Sequence, residues 1–276
     1  MTLYLLILLS SFIYSADFFS DLLYRETSLN VSSTGHTYYY QHPSSNKVVL
    51  LIHGYTSNPS ETINLGNYLY MQGFDVFGVR LEGHGTSPED LCKTTWQQWY
   101  SSADQAFLYL KSKYDKVYIF GVSTGALTGL KLAENHDVAG LVCAGTFIYP
   151  KSIIKFGYRL YPIAKFLHIP LGYVRAPIPK ERQHITYTRN PLDTTMQLMY
   201  FVNDVKPKLN KITCPVLLMH CPKDDVADPK SAQYVYDHIK SADKKLVWAG
   251  KEHSFLIDKD EKIYKQITEW YKSISR

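Results

Sequence analysis

A mostly parallel, doubly wound α/β sheet with an inserted helical cap is the fold this sequence predicts, on three observations. Short apolar runs alternate with longer stretches of helical periodicity through most of the 276 residues, the rhythm of strand–helix–strand crossovers. The runs are apolar throughout rather than every second residue, as in strands covered by helices on both faces. The rhythm stops at Gly145 and resumes after about Lys211, which marks residues 146–211 as the insertion. A chain of this length suits one large domain, residues 17–276, rather than two independent ones.

The elements follow in order. Leu3 to Tyr14 is an apolar run with Ser15-Ala16 behind it and no Lys or Arg ahead of it. It is shorter than the roughly 20 residues a bilayer span needs, so residues 1–16 read as a secretory signal peptide. An interfacial anchor and a buried N-terminal helix are the alternatives. The expected location is secreted, periplasmic or membrane-associated, and cytoplasmic if the run is not a signal. Asp17 to Glu26 is a short amphipathic segment, and Thr27–Ser33 with Thr37–Gln41 alternate like a hairpin turning at Thr34-Gly35. Asn30-Val31-Ser32 is a glycosylation sequon.

Val48–Ile52 is the first buried strand, ending in His53-Gly54-Tyr55-Thr56. Ser60 is placed to cap a helix through Met71, with Glu61 in its first turn. Phe74–Leu81 is the next strand and runs into the Gly-rich loop 82–91. A helix opens at Thr95 and carries Trp96 and Trp99. Val117–Phe120 then meets Gly121-Val122-Ser123-Thr124-Gly125 and a helical repeat through Leu132. Strand, sharp turn and helix around Gly-x-Ser-x-Gly form a nucleophile elbow, in which the flanking glycines avoid collision with strand and helix. Val138–Ala144 is another strand. Within the insertion, Asn190-Pro191 starts a helix through Phe201. The pattern resumes with the strand Pro215–His220, the helix Pro229–Ile239, the strand Lys245–Trp248 and the helix Asp260–Ile274.

The formal charge of +5 is spread along the chain without a long Lys/Arg run, which argues against nucleic-acid binding. Four cysteines do not make a disulfide scaffold at this length. Cys143 and Cys221, near the ends of neighbouring strands, are the one pair worth testing, and buried free thiols are the preferred reading.

Ligands in such sheets bind beyond the carboxyl ends of the strands. Just past those ends fall His53-Gly54-Tyr55, Ser123, Asp224-Asp225 and His253. A serine hydroxyl needs a base to remove its proton, the role for His253. The imidazole needs a carboxylate to fix its tautomer, the role for Asp224. The backbone N–H groups of Tyr55 and Thr124 are the expected donors to a developing oxyanion. Asp225 and Asp228 compete with Asp224, and His220 and His238 with His253. His84, between two glycines, reads as a loop-shaping residue, and so does His53. No histidine pairs with cysteines or carboxylates at metal-ligand spacing, so no metal and no other cofactor is expected.

With these residues in view, the sequence resembles the carboxylesterase and monoacylglycerol lipase branch of the α/β-hydrolases. The likeness rests on Leu51-Ile-His-Gly-Tyr55, Arg80-Leu-Glu-Gly-His-Gly85 with Pro88-Glu-Asp-Leu91, Gly121 to Gly125, Ile212-Thr-Cys-Pro-Val-Leu-Leu217, and Asp224 to Pro229 with His253 downstream. It runs from about Val48 to Tyr271 and is weakest in the cap. The order Ser, Asp, His is the one that superfamily uses. The resemblance implies hydrolysis of carboxylic esters, short- to medium-chain acyl esters or monoacylglycerols, through an acyl-enzyme on Ser123. It departs at Thr124, where relatives often carry Leu, Met or Gln.

His53, Gly54, Tyr158 and Tyr161 are candidate substrate contacts. Phe156, Tyr158, Leu160, Tyr161, Ile163, Phe166 and Leu167, interleaved with Lys155, Arg159 and Lys165, form either a lipid-facing surface or ordinary cap packing. Acyl transfer and small-peptide or amide hydrolysis are alternatives that use the same three residues. A ligand-binding relative without catalysis is the remaining class.

Overall fold

A computed structural model describes residues 18–151, 160–164, 166–167, 172–175, 178, 180–253 and 259–275. The apolar run at the N-terminus and Tyr158 lie outside these residues. Seven strands make the main sheet: β1 (Tyr38–Tyr40), β2 (Lys47–Ile52), β3 (Asp75–Val79), β4 (Lys116–Val122), β5 (Gly140–Ala144), β8 (Val216–His220) and β9 (Lys244–Trp248). Their spatial order is β1-β3-β2-β4-β5-β8-β9. Every pairing is parallel except that of β1 with β3. The fold is that of the α/β-hydrolases.

Two helical layers explain the apolar runs. One face of the sheet (Val48, Leu50, Ile52, Ile119, Leu141, Cys143) packs on α4 (Trp96–Lys111), α5 (Thr124–Asn135) and α6 (Leu192–Val205). The other (Val49, Leu51, Phe120, Val142, Leu217) packs on α2 (Ile63–Met71) and α8 (Glu261–Ile274). Alternate residues of one strand thus enter different cores, and β2, β4 and β5 have no face left for polar residues. A parallel strand so placed cannot read as alternating.

Two local expectations are corrected and one is refined. Residues 27–33 do not pair with 37–41. Phe18–Ser28 is instead a helix, α1, whose Glu26 is fully buried and accepts from the Thr37 N–H and hydroxyl and from Arg80 Nε. The antiparallel partner of β1 is β3. A buried ion pair with Arg80 supplied a tertiary reason that local alternation could not carry. Ser60 does not cap α2. Asn58 caps a single 3₁₀ turn at Pro59–Glu61, its side chain accepting from the Ser60 N–H, and α2 begins only at Ile63. Asn190-Pro191 leads into the expected helix but lies outside it, Pro191 being its N-cap. Arg189–Pro191 forms β7, pairing antiparallel with β6 (Tyr173–Arg175) in a ribbon apart from the main sheet, and α6 starts at Leu192. The residue before a proline is biased to extended backbone, which fits a strand ending there.

The segment between β5 and β8 is fastened to the loops at the carboxyl edge. The backbone from Tyr149 to Lys151 zips onto Val226–Asp228, through Asp228 N–H to Tyr149 O (2.8 Å) and Lys151 N–H to Val226 O (3.2 Å). On the far arm, Tyr187 N–H donates to Thr56 O (3.0 Å), Ser57 Oγ to Ile185 O (3.3 Å) and Asn58 Nδ2 to His184 O (3.0 Å). The Tyr187 hydroxyl donates to Gly83 O (3.0 Å) and accepts from Thr86 N–H (2.9 Å).

All four cysteines are free thiols, Cys143 and Cys221 among them. Burial pushes the Cys143 thiol well above its ordinary range, as expected of an inert core residue.

Candidate active site

Ser123 sits at the break between β4 and α5 with φ 55° and ψ −111°. A non-glycine residue held there is strained and persists only where its surroundings enforce it. The enforcement is steric. A Cβ on Gly121 would run into the Gly125 carbonyl, and one on Gly125 into the Ile52 carbonyl. The absence of both lets helix α5 start directly over the ends of β2 and β4. Ser123 N–H donates to Ala144 O (2.8 Å), which pins the turn to β5.

His253 closes on this serine from the loop after β9. Its Nε2 lies 2.9 Å from Ser123 Oγ, and its Nδ1 lies 2.7 Å from Asp224 Oδ2. With Nδ1 donating to the carboxylate, the neutral ring presents Nε2 as acceptor for the serine proton. The structure thus brings Ser123, His253 and Asp224 into one relay, drawn from three separate strand ends. Gly145, which turns out of β5 with φ +58°, lies under the His253 ring: a Cβ there would come within 3.3 Å of Cε1 and 3.4 Å of Nδ1.

Asp224 is fully committed. Oδ1 accepts from Val226 N–H (2.9 Å) and Ala227 N–H (2.8 Å), and Oδ2 faces His253 and, at 3.3 Å, His220 Nε2. Burial by itself would raise its pKa, but hydrogen bonds from the two histidines and the Ala227 amide outweigh it and hold the carboxyl well below the usual range. The rivals separate by position. Asp225 is exposed, and Asp228 accepts from Lys230 N–H at the start of α7 (Lys230–His238). His238 Nδ1 donates to Tyr234 O (2.7 Å) within that helix. His220 is buried behind Asp224.

Thr124 is the first residue of α5, where an amide has no partner inside the helix. Tyr55 follows Gly54, and Gly54 abuts the nucleophile: a Cβ on it would lie 3.4 Å from Ser123 Cβ. The two expected oxyanion donors therefore flank Ser123 from β2 and α5. The Tyr55 hydroxyl points away, into α6, 2.7 Å from Thr194 Oγ1.

One proposed substrate contact, His53, is corrected, and a second, Tyr161, is bonded within the chain. His53 is fully buried, its Nδ1 donating to Gly54 O (2.9 Å) and its Nε2 accepting from Leu81 N–H (3.1 Å). Both ring nitrogens are occupied, so it shapes the loop and reaches no ligand. The Tyr161 hydroxyl donates to Asp193 Oδ1 (2.5 Å) and its ring packs on the core, which makes it a brace between the helical residues 160–164 and α6.

His84 is fully buried, with its ring centroid 5.0 Å from that of His53 and 5.6 Å from Trp99. Nδ1 donates to Glu82 O (3.0 Å), while Nε2 is buried without a partner among the described residues. Burial, aided by Arg80, takes its pKa down to about 4, and His53 falls well below 6.5 for the same reason. A folded-state pKa below the unfolded value means that the unfolded chain binds the proton more readily. Stability is therefore complete above about pH 6.5 and falls as pH drops toward 4, by about 3 kcal/mol for His84. Urea unfolding midpoints measured from pH 7 to pH 4 should show this slope. In His84→Gln the slope should flatten, and an unchanged slope refutes the assignment.

One residue of the site was missed in the sequence. The side chain of Glu61 reaches back from the 3₁₀ turn, and its Oε2 accepts the Gly54 N–H at 2.6 Å. Its sequence signal was an acid eight residues beyond His53, read only as a helix-terminal charge.

Comparison with known proteins places the chain in a family. The family model described as serine aminopeptidase, S33, matches residues 43–260. The chain is 28% identical over 226 residues to a carboxylesterase of Bacillus subtilis (strain 168), covering 80% of this chain and 89% of that protein. It is 30% identical over 200 residues to a thermostable monoacylglycerol lipase of Bacillus sp. (strain H-257), covering 72% and 79%. A solved structure described under LipS and LipT, two metagenome-derived lipolytic enzymes, superposes with a TM-score of 0.78 at 21% identity, over 88% of this chain and 99% of that one.

Proposed function

Because the chain belongs to the serine aminopeptidase S33 family, we propose that its relay of Ser123, His253 and Asp224 makes it a serine hydrolase of carboxylic esters. The observation that carries this reading is the pair of distances at His253, 2.9 Å to the serine oxygen and 2.7 Å to the carboxylate. Ser123 Oγ attacks the ester carbonyl as Nε2 takes its proton. The tetrahedral oxyanion is held by the Tyr55 and Thr124 amides, each worth about 100- to 1000-fold in rate. The imidazolium, stabilised by Asp224, protonates the departing alkoxide. Water then gives its proton to Nε2 as its oxygen attacks the acyl carbon; the bond to Ser123 Oγ breaks, Oγ takes the proton back from Nε2, and the acid is released.

The substrate class is short- to medium-chain acyl esters or monoacylglycerols. The carboxylesterase and monoacylglycerol lipase relatives support it. Contact with a lipid surface is part of the same proposal. It rests on Leu160, Ile163, Phe166 and Leu167 of the cap, which are 45%, 56%, 81% and 59% exposed, too much apolar area for residues that pack inward. A series of p-nitrophenyl and glyceryl esters from acetyl to palmitoyl tests the reading, beside a panel of aminoacyl amides. Turnover of butyryl or octanoyl esters at least a hundredfold above that of the amides is expected, and the reverse order would make the protein a peptidase.

A further inference from the structure

We infer that Glu61 is a positioning residue for the oxyanion loop, holding the Gly54 peptide so that the next amide, that of Tyr55, meets the oxyanion. The inference rests on the hydrolase reading above and goes beyond it to a residue outside the relay.

The physical case begins with cost. A carboxylate taken out of water is destabilising unless donors replace its hydration. Glu61 is buried and sits in a short 3₁₀ turn whose cap is Asn58, so the turn itself does not call for a carboxylate at 61. Its Oε2 accepts the Gly54 N–H at 2.6 Å, a short, charge-assisted bond. Burial raises its pKa, opposed by the hydrogen bonds from Gly54 and Ser57 and by the nearby His253.

Gly54 is the hinge of the matter. It lies between β2 and Tyr55, and a Cβ on it would sit 3.3 Å from Glu61 Oε2 on one side and 3.4 Å from Ser123 Cβ on the other. The carboxylate and the nucleophile therefore both crowd the Gly54 Cα, and Gly54 N–H is tied to the carboxylate. The loop beyond is under strain, since Thr56 has φ 62°, and a strained loop keeps its conformation only if something fixes its start. The backbone bond from Ser57 N–H to Gly54 O, at 3.2 Å, fixes the other side of the same residue. Without Glu61 the Gly54 N–H would be a buried donor with no acceptor and would turn to find one, carrying the Tyr55 amide with it. An oxyanion donor must lie about 2.7–3.1 Å from the oxyanion, so a small rotation suffices to lose it.

The test compares Glu61→Gln, Glu61→Met and the unaltered full-length chain. Gln keeps an acceptor for the Gly54 N–H in nearly the same volume, and only its second oxygen is exchanged, for an amide nitrogen. Met fills the volume and offers no acceptor. With p-nitrophenyl butyrate, Glu61→Met should lose about 30-fold or more in kcat with KM within about twofold, since the oxyanion forms only in the transition state. Glu61→Gln should recover to within about fivefold of the unaltered enzyme. The rate of Ser123 phosphonylation by a fluorophosphonate, which also places an oxygen in the oxyanion site, should fall in Met and return in Gln. If Met retains kcat, or if Gln is no better than Met while both melt at the temperature of the unaltered protein, the inference is wrong. If the unaltered protein neither hydrolyses the ester nor labels, it is the hydrolase reading that fails.

Discussion

Ser123→Ala should reduce ester hydrolysis by at least about 10⁴-fold and abolish fluorophosphonate labelling, the largest loss a single atom can cause in this protein. The Ser123 hydroxyl is bound to His253 at 2.9 Å, so its removal disturbs little else. Alanine has the same Cβ and tolerates φ 55° no worse than serine does. The backbone bond from Ser123 N–H to Ala144 O survives. The melting temperature should therefore stay within a few degrees while turnover collapses. Rates of the variant and the unaltered chain under identical conditions settle the matter, and a variant that still turns over ester would require another nucleophile.

Asp224→Asn should cost about 10⁴-fold in kcat, for a reason specific to the donors around it. Two histidine nitrogens, His253 Nδ1 and His220 Nε2, face Oδ2, and two amides, Val226 and Ala227, donate to Oδ1. An asparagine amide presents one acceptor and one doubly donating nitrogen. If the nitrogen takes the Oδ2 place, His253 must accept at Nδ1 and carry its proton on Nε2, where it cannot deprotonate Ser123. If the side chain is flipped, the nitrogen meets the two amides instead. Neither orientation is satisfied, so the variant should also unfold at lower urea than the unaltered chain. Steady-state kinetics with a urea titration checks both, and a kcat within about tenfold of the unaltered enzyme would remove Asp224 from the relay.

The sheet was legible because its information is local. Val48–Ile52 and Val117–Phe120 are apolar at every position because two helical layers cover them, and that constraint shows in any window of five residues. The Gly-x-Ser-x-Gly turn was legible because its glycines answer to a collision that no other residue survives. Ser123, Asp224 and His253 were legible from their places just past strand ends, although they meet across 130 positions of chain, but other long-range partners were not. Glu61 looks in sequence like a charge at a helix start, and only the folded loop brings Gly54 N–H to it. Thr27–Ser33 alternates by accident of composition, and the buried pairing of Glu26 with Arg80, 54 positions apart, decides its conformation. The Tyr161 hydroxyl is explained by Asp193, again beyond local reach.

The seam between the segment joining β5 to β8 and the loop after β2 has a bearing on modular exchange. Tyr55, Thr56, Ser57 and Asn58 each bond to the stretch 184–195, at about 1 kcal/mol apiece. Transplanting a foreign segment between β5 and β8 onto this scaffold would orphan those partners and slacken the loop proposed above to carry an oxyanion donor. A chimera would need to import residues 54–58 together with its new roof, for the two are a single part manufactured from distant stretches of chain.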